Sequence, residues 1–170
     1  MSTEQPAAAV PGPVAALAIL AIVVVVIVAW IALGLQFLTD KTLFGGFLML
    51  WYWANNGALE IKNLPAAILG GLVGIGLAWF LVYGAQTWGA AGMAASLIAL
   101  LVALFLDIRK SIPLLINGST MLYLTVAAAP LIQLQVDWMQ LVLSTAIGGL
   151  FFGAVIEGLK RLAARFAPAA

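Results

Sequence analysis

Long apolar runs separated by short polar breaks fill this chain almost from end to end. They predict helices at residues 13–33, 42–58, 64–83, 88–106, 111–129 and 139–159. A helix that crosses a hydrocarbon core of roughly 30 Å needs about 20 largely apolar residues, and the first run contains no charged residue. The pattern therefore predicts an all-α polytopic membrane protein with six transmembrane helices.

The composition supports this prediction. Hydrophobic residues make up 65% of the 170 residues and charged residues 8%, whereas globular proteins average about 45–50% apolar. Residues 1–12 contain no Lys or Arg, unlike the start of a secretory signal, so we expect a disordered tail before a retained first helix. Residues 160–170 form a basic tail. Trp30, Tyr83, Trp88 and Trp138 lie near predicted helix ends, as interfacial aromatic belts do.

Basic residues indicate the orientation. Six crossings place both termini on one side of the membrane. That side then holds six of the seven basic residues, namely Lys62, Arg109, Lys110, Lys160, Arg161 and Arg165, and the other side holds only Lys41. Because cytoplasmic loops carry the excess of Lys and Arg, we expect both termini in the cytoplasm.

The two halves of the chain resemble each other. Residues 45–51 (GGFLMLW) align with 117–123 (NGSTMLY), and residues 70–74 (GGLVG) with 148–153 (GGLFFG). Three helices per half would make the repeat inverted, a common construction of transporters with the solute site between the halves. Short matches of Gly, Leu and Met also arise by chance in so apolar a chain, and this alternative stays open.

Glycines four residues apart predict that two of the helices pack closely against a neighbour. Gly70 and Gly74 share one face of the third predicted helix, and Gly149 and Gly153 share one face of the sixth. Small residues at this spacing let helix backbones approach closely in lipid. The contact is either within the bundle or between subunits of a homo-oligomer.

Polar and aromatic residues within the predicted membrane region are candidates for a solute path. They belong to the second and fifth helices: Trp51, Trp53, Asn55, Asn56, Asn117, Thr120 and Tyr123. Pore-lining donors, acceptors and aromatic constrictions set selectivity for a neutral solute. The alternative is that the amides hold helices together or that Asn56 and Gly57 end a helix.

Several functional classes lack the residues they need. The chain has no His and no Cys, so the usual general base, thiolate nucleophile and metal ligands are absent, and we expect no enzyme, cofactor or metal site. The basic residues form no run that would bind nucleic acid. Glu157 precedes Lys160 and Arg161 at ion-pair spacing; a role in proton coupling is the other interpretation.

A resemblance to a known family rests on three motifs. These are the FGGF start of the second helix (44–47), the SIP sequence before the fifth (111–113), and the GGL helix that ends at Glu157. Over about residues 35–157 the chain resembles small bacterial inner-membrane proteins grouped as domain of unknown function ten-ninety-seven. The resemblance implies a bacterial inner-membrane protein but no function, and Asn55 and Asn56 are not part of it.

Two functions fit these features. The first is a channel or facilitator for a small uncharged or weakly polar solute, working as a homo-oligomer in the lipid bilayer. The second is a membrane scaffold or accessory subunit that packs against another membrane protein through its glycine faces. An intramembrane enzyme would need residues that this chain lacks.

Overall fold

The structure, a computed structural model, describes residues 12–133 and 135–166, and these residues are helical without any strand. Six α-helices follow in order: α1 (Pro13–Gly34), α2 (Phe44–Asn56), α3 (Leu64–Ile108), α4 (Gly118–Ala127), α5 (Pro130–Gln133) and α6 (Trp138–Phe166). Short 3₁₀ turns at Asp40–Thr42 and Ile61–Asn63 precede α2 and α3. Most of the predicted tail at residues 1–12, and residues 167–170, lie outside the described residues.

Three helical stretches among the described residues are long and apolar enough to cross a membrane. They are Pro13–Gly34, Ile61–Ile108 and Trp138–Phe166. The protein is therefore all-helical, with the helices of a membrane protein.

The α3 helix is a hairpin. Its 45 residues are interrupted at Gly89, whose φ of 57° and ψ of −134° are not helical. Gly92 lies so close to Gly84 that a Cβ atom on Gly92 would collide with the Gly84 carbonyl group. Residues eight apart in a straight helix are about 12 Å apart. The chain therefore folds back at Gly89 into two segments, residues 64–88 and 90–108, whereas the sequence places the break between residues 83 and 88.

Two helices are much shorter than predicted. The α2 helix has 13 residues and α4 has 10. At 1.5 Å per residue they extend about 20 and 15 Å, less than the roughly 30 Å of a hydrocarbon core. The fifth helix was predicted to begin at residue 111, but residues 111–117 form turns, and α4 starts only at Gly118.

Successive segments alternate in direction. The α2 helix begins where the Gly46 amide donates to Ser144 Oγ (3.2 Å) and ends near Leu59, whose carbonyl oxygen accepts from Lys160 Nζ, so it runs parallel to α6. Residues 64–88 run the other way, since Gly153 faces Leu64 and Gly149 faces Ile68. The α4 helix then runs parallel to 64–88.

One aromatic residue that the sequence predicts in an interfacial belt lies in the core. Trp30 is fully buried within the bundle, so its ring is not exposed to the membrane surface. Its indole nitrogen donates to the Leu43 carbonyl oxygen at 3.3 Å, and its ring packs against Phe152 with centroids 5.5 Å apart. It fills the space above Gly46 and Gly148, where no side chain competes for it.

Candidate functional site at the crossing of two short helices

The two short helices, α2 and α4, cross in the middle of the bundle. The hydroxyl of Tyr123 on α4 donates a hydrogen bond to the carbonyl oxygen of Gly45 on α2. Seven residues along α2, the Tyr52 ring lies against Gly118, where a Cβ atom would be 3.0 Å from Tyr52 Cε2. The helices are therefore antiparallel and in direct contact.

Each short helix also packs against glycine on a long helix. On α3, Gly71 and Gly74 face the Tyr123 side chain of α4. On α6, Gly148 faces Gly46 of α2 so closely that a Cβ atom would be 2.5 Å from the Gly46 Cα atom. Residues 64–88, the third segment of the chain, therefore pack against α4, the fifth. The sixth segment, α6, packs against α2, the second.

Buried hydroxyl and amide groups surround the crossing. They belong to Thr42, Asn117, Ser119, Thr120, Ser144 and Thr145. Ser119 Oγ donates to the Ala67 carbonyl oxygen at 2.8 Å, which joins α4 to α3. Thr145 Oγ1 donates to the Leu141 carbonyl oxygen of its own helix at 2.9 Å.

Asn117 is the N-cap of α4. Its Oδ1 accepts a hydrogen bond from the backbone N–H of Ser119 at 2.8 Å. Thr120 Oγ1 accepts one from the backbone N–H of Asn117 at 3.1 Å, which completes a capping box. Its Nδ2 donates to the carbonyl oxygens of Ala66 and Pro113, both at 2.9 Å. All of its polar atoms are thus used within the chain.

The remaining predicted residues lie on α2 in different environments. Trp53 is buried, and its indole donates to the Glu60 carbonyl oxygen at 2.8 Å. Trp51 is 56% exposed. Asn55 and Asn56 are exposed, and their Nδ2 atoms donate to the carbonyls four residues earlier in the helix, at 2.8 and 3.3 Å. The structure therefore separates Asn55 and Asn56, which face outward, from Asn117, Thr120 and Tyr123, which face inward.

The four predicted packing glycines all lie at contacts within the chain. Gly70 faces Asn117, Gly74 faces Thr120, Gly149 faces Ile68 and Gly153 faces Leu64. These positions agree with packing inside the bundle, one of the two alternatives that the spacing left open.

The crossing also has an outer face. Trp51 and Asn55 on α2, and Gly118 and Thr125 on α4, are exposed and lie one or two turns apart on their helices. We call these four residues the short-helix face. Its polar groups are a neutral amide and a neutral hydroxyl, so it can donate and accept hydrogen bonds without charge.

Within the described residues, the buried polar side chains are satisfied by the protein itself. Every buried side-chain nitrogen or oxygen atom there has a hydrogen-bond partner. In the same part of the chain, no three His, Cys, Asp or Glu side chains are grouped as metal ligands. The buried polar side chains are neutral amides and hydroxyls, which form hydrogen bonds.

Charged side chains gather at one end of the bundle. Lys62 Nζ lies 2.7 Å from Glu60 Oε2; this ion pair lowers the pKa of the Glu60 carboxyl. Arg161 Nε donates to Glu157 Oε1 at 3.0 Å, the pair predicted by their spacing. Lys41 is at the other end, where the Thr39 amide donates to Gln140 Oε1 at 2.7 Å.

Sequence reasoning missed part of this arrangement. From sequence, Ser144 and Thr145 fit either a helix-packing or a solute-path network and carry little weight, because hydroxyls readily bond their own helix; in the structure both face the first turn of α2. The capping role of Asn117 was readable only from its residue type, since Asn is favoured at helix N-caps; Thr120 replaces the Glu or Gln that a typical capping box has three residues later.

No family model, curated protein or solved structure matches this chain. The resemblance to domain of unknown function ten-ninety-seven therefore stays a prediction based on the motifs quoted above.

Proposed function

We propose that this chain is a membrane channel or facilitator for a small uncharged or weakly polar solute and works as a homo-oligomer. The observation that carries the proposal is the crossing of α2 and α4, two helices too short to span a bilayer. Unusually short segments at corresponding positions of two halves are the best pointer to the binding site of an inverted-repeat transporter.

The proposal includes six passes of the chain through the membrane, two of which are completed by the turns that flank α2 and α4, and an inverted repeat of three segments. It is supported by the alternating direction of the segments and by the matching order of long, short and long helices in each half. The glycine contacts support it too, because in each half a long segment packs against the short helix of the other half: residues 64–88 contact α4, and α6 contacts α2. With the basic residues at the end where Lys160 meets Leu59, the positive-inside rule puts both termini in the cytoplasm.

We place the solute path along the short-helix face. Asn55 on α2 and Thr125 on α4 are polar and exposed. Polar side chains at membrane depth are costly against lipid and tend to face a partner or a water-filled cavity. In an oligomer, this face would line a passage between subunits, with Trp51 narrowing it. The absence of charge on this face favours a neutral solute.

Flux into proteoliposomes tests the proposal. Stopped-flow light scattering with water, urea and glycerol should show accelerated entry of one solute. The variants Asn55→Leu and Thr125→Val should lower that flux at least several-fold. Gln36→Leu is the matched control, because Gln36 is also exposed and its amide also bonds a carbonyl four residues earlier, at 3.4 Å.

An accessory subunit is the second candidate function. It is favoured by the exposed apolar side chains of α1 and residues 90–108, among them Val14, Ile98 and Leu101, because such faces could pack on another membrane protein. Flux equal to that of protein-free vesicles, from protein shown to be folded, would refute the channel and favour this second function.

A further inference from the structure

A groove opens on the side of α6 at the basic end of the bundle. Its volume is about 430 Å³, and its lining includes Ile61, Leu64, Leu150, Ala154 and Gly158. Leu150, at the apolar end of the groove, is 68% exposed. A Cβ atom on Gly158 would meet no atom within 4 Å, so this glycine leaves the groove open.

The mouth of the groove carries an excess of positive charge. Arg161 and Glu157 lie in its wall, and Lys160, Lys62 and Glu60 lie beside it. Three cations therefore face two carboxylates. Arg161 uses Nε for Glu157, and a guanidinium has five N–H donors, so others stay available to an anion. Lys160 donates to the neutral carbonyl oxygen of Leu59, and among the described residues it forms no ion pair within 4 Å.

We infer that this groove binds one anionic phospholipid, with an acyl chain along Leu64, Leu150 and Ala154 and the phosphate at Arg161 and Lys160. The apolar floor matches the acyl chain of a lipid, and the basic mouth matches its head group. In a bilayer, these two parts lie at the same relative depths as the floor and the mouth. Basic pockets between transmembrane helices on the cytoplasmic side are known to bind anionic head groups. The inference does not depend on the proposed transport function.

Charge variants test the head-group contact. Native mass spectrometry of the full chain, titrated with phosphatidylglycerol, should show one preferentially bound lipid, and phosphatidylcholine should bind less. Arg161→Gln should weaken phosphatidylglycerol binding about five-fold, as expected for about one charge at a membrane surface. Glu157→Gln should strengthen it, because it frees the guanidinium. Arg109→Gln, a basic residue outside the groove lining, is the control and should change nothing.

Filling the groove tests the acyl-chain contact. Gly158→Leu should abolish the preferential binding, whereas Gly76→Leu should not, since Gly76 also has no atom within 4 Å of its Cβ position but lies outside the groove lining. Both replacements add side chains to open positions, so both proteins should fold. Equal binding by Gly158→Leu and wild type, equal binding of the two lipids, or full competition by inorganic phosphate would overturn the inference.

Discussion

Tyr123 and Gly45 join the two short helices across the middle of the protein, with the Tyr123 hydroxyl donating to the Gly45 carbonyl oxygen. The tyrosine is fully buried, and its ring lies against Gly71 of α3, 2.7 Å from where a Cβ atom would be. One side chain therefore contacts α2, α3 and α4.

Removing this hydroxyl should destabilise the bundle measurably. Interhelical hydrogen bonds in membrane proteins contribute about 0.6 kcal/mol on average and up to about 1.7. We expect Tyr123→Phe to lower the free energy of unfolding by an amount in the upper part of that range, measured by unfolding in mixed detergent micelles. Tyr83→Phe is the control, because Tyr83 is 40% exposed and stacks on Trp79. Equal stability of both variants and wild type would show that the bond contributes nothing.

Two glycines on α3 should respond oppositely to the same replacement. A Cβ atom on Gly74 would collide with the backbone carbonyl oxygen of Thr120, which cannot move without shifting α4. Gly76 has open space at that point. We expect Gly74→Ala to cost about 1–3 kcal/mol, as overpacking does. Gly76→Ala should be neutral or stabilising by up to about 1 kcal/mol through helix propensity. The measurement is again unfolding in mixed micelles, and similar values for both variants would contradict the packing.

Gly153→Leu should be better tolerated than Gly74→Leu. At Gly153 the neighbour is the Cδ2 atom of Leu64, the flexible end of a side chain, 2.5 Å from the Cβ position. Leu64 can change rotamer, whereas the Thr120 backbone cannot. The fraction of protein that elutes as a single folded species should therefore be higher for Gly153→Leu, and a lower fraction would mean that the α3–α6 contact is the tighter one.

The long helices could be predicted from sequence because their signal is local. A run of apolar residues needs no knowledge of its neighbours, and the predicted boundaries of α1 differ from the observed ones by a residue. The lengths of α2 and α4 depend on tertiary contacts. Residues 111–117 are apolar enough for a helix, but Asn117 is held in an extended conformation (φ −156°) by bonds to Ala66 and Pro113.

The same reason explains why the candidate site was only partly predictable. The polar residues of α2 and of the α4 region were identified, but the direction of each side chain depends on which face its helix buries. The crossing turns Tyr123 and Thr120 inward and leaves Asn55 outward. The basic groove joins Arg161 to Ile61, a hundred residues away in the chain, so no local pattern could show it.

Single cysteines on this Cys-free chain test the six-crossing topology. If α3 turns back at Gly89, Thr87→Cys should react with a membrane-impermeant maleimide from the same side as Lys41→Cys. Lys62→Cys and Ser111→Cys should react from the other side. The comparison uses right-side-out and inverted vesicles. Reaction of Thr87→Cys and Ser111→Cys from one side would mean that residues 90–108 do not cross the membrane.

Asn117 provides the test that separates a structural amide from one that contacts solute. Its side chain caps α4 and bonds Ala66 and Pro113. Loss of an N-cap costs about 0.5–2 kcal/mol, so Asn117→Ala should be destabilised by at least about 1 kcal/mol in mixed-micelle unfolding. Asn117→Ser, which retains a capping oxygen, should recover part of this loss. Because the amide faces inward, the flux per folded molecule should be the same in both variants as in wild type. A selective loss of flux at wild-type stability would instead place Asn117 on the solute path.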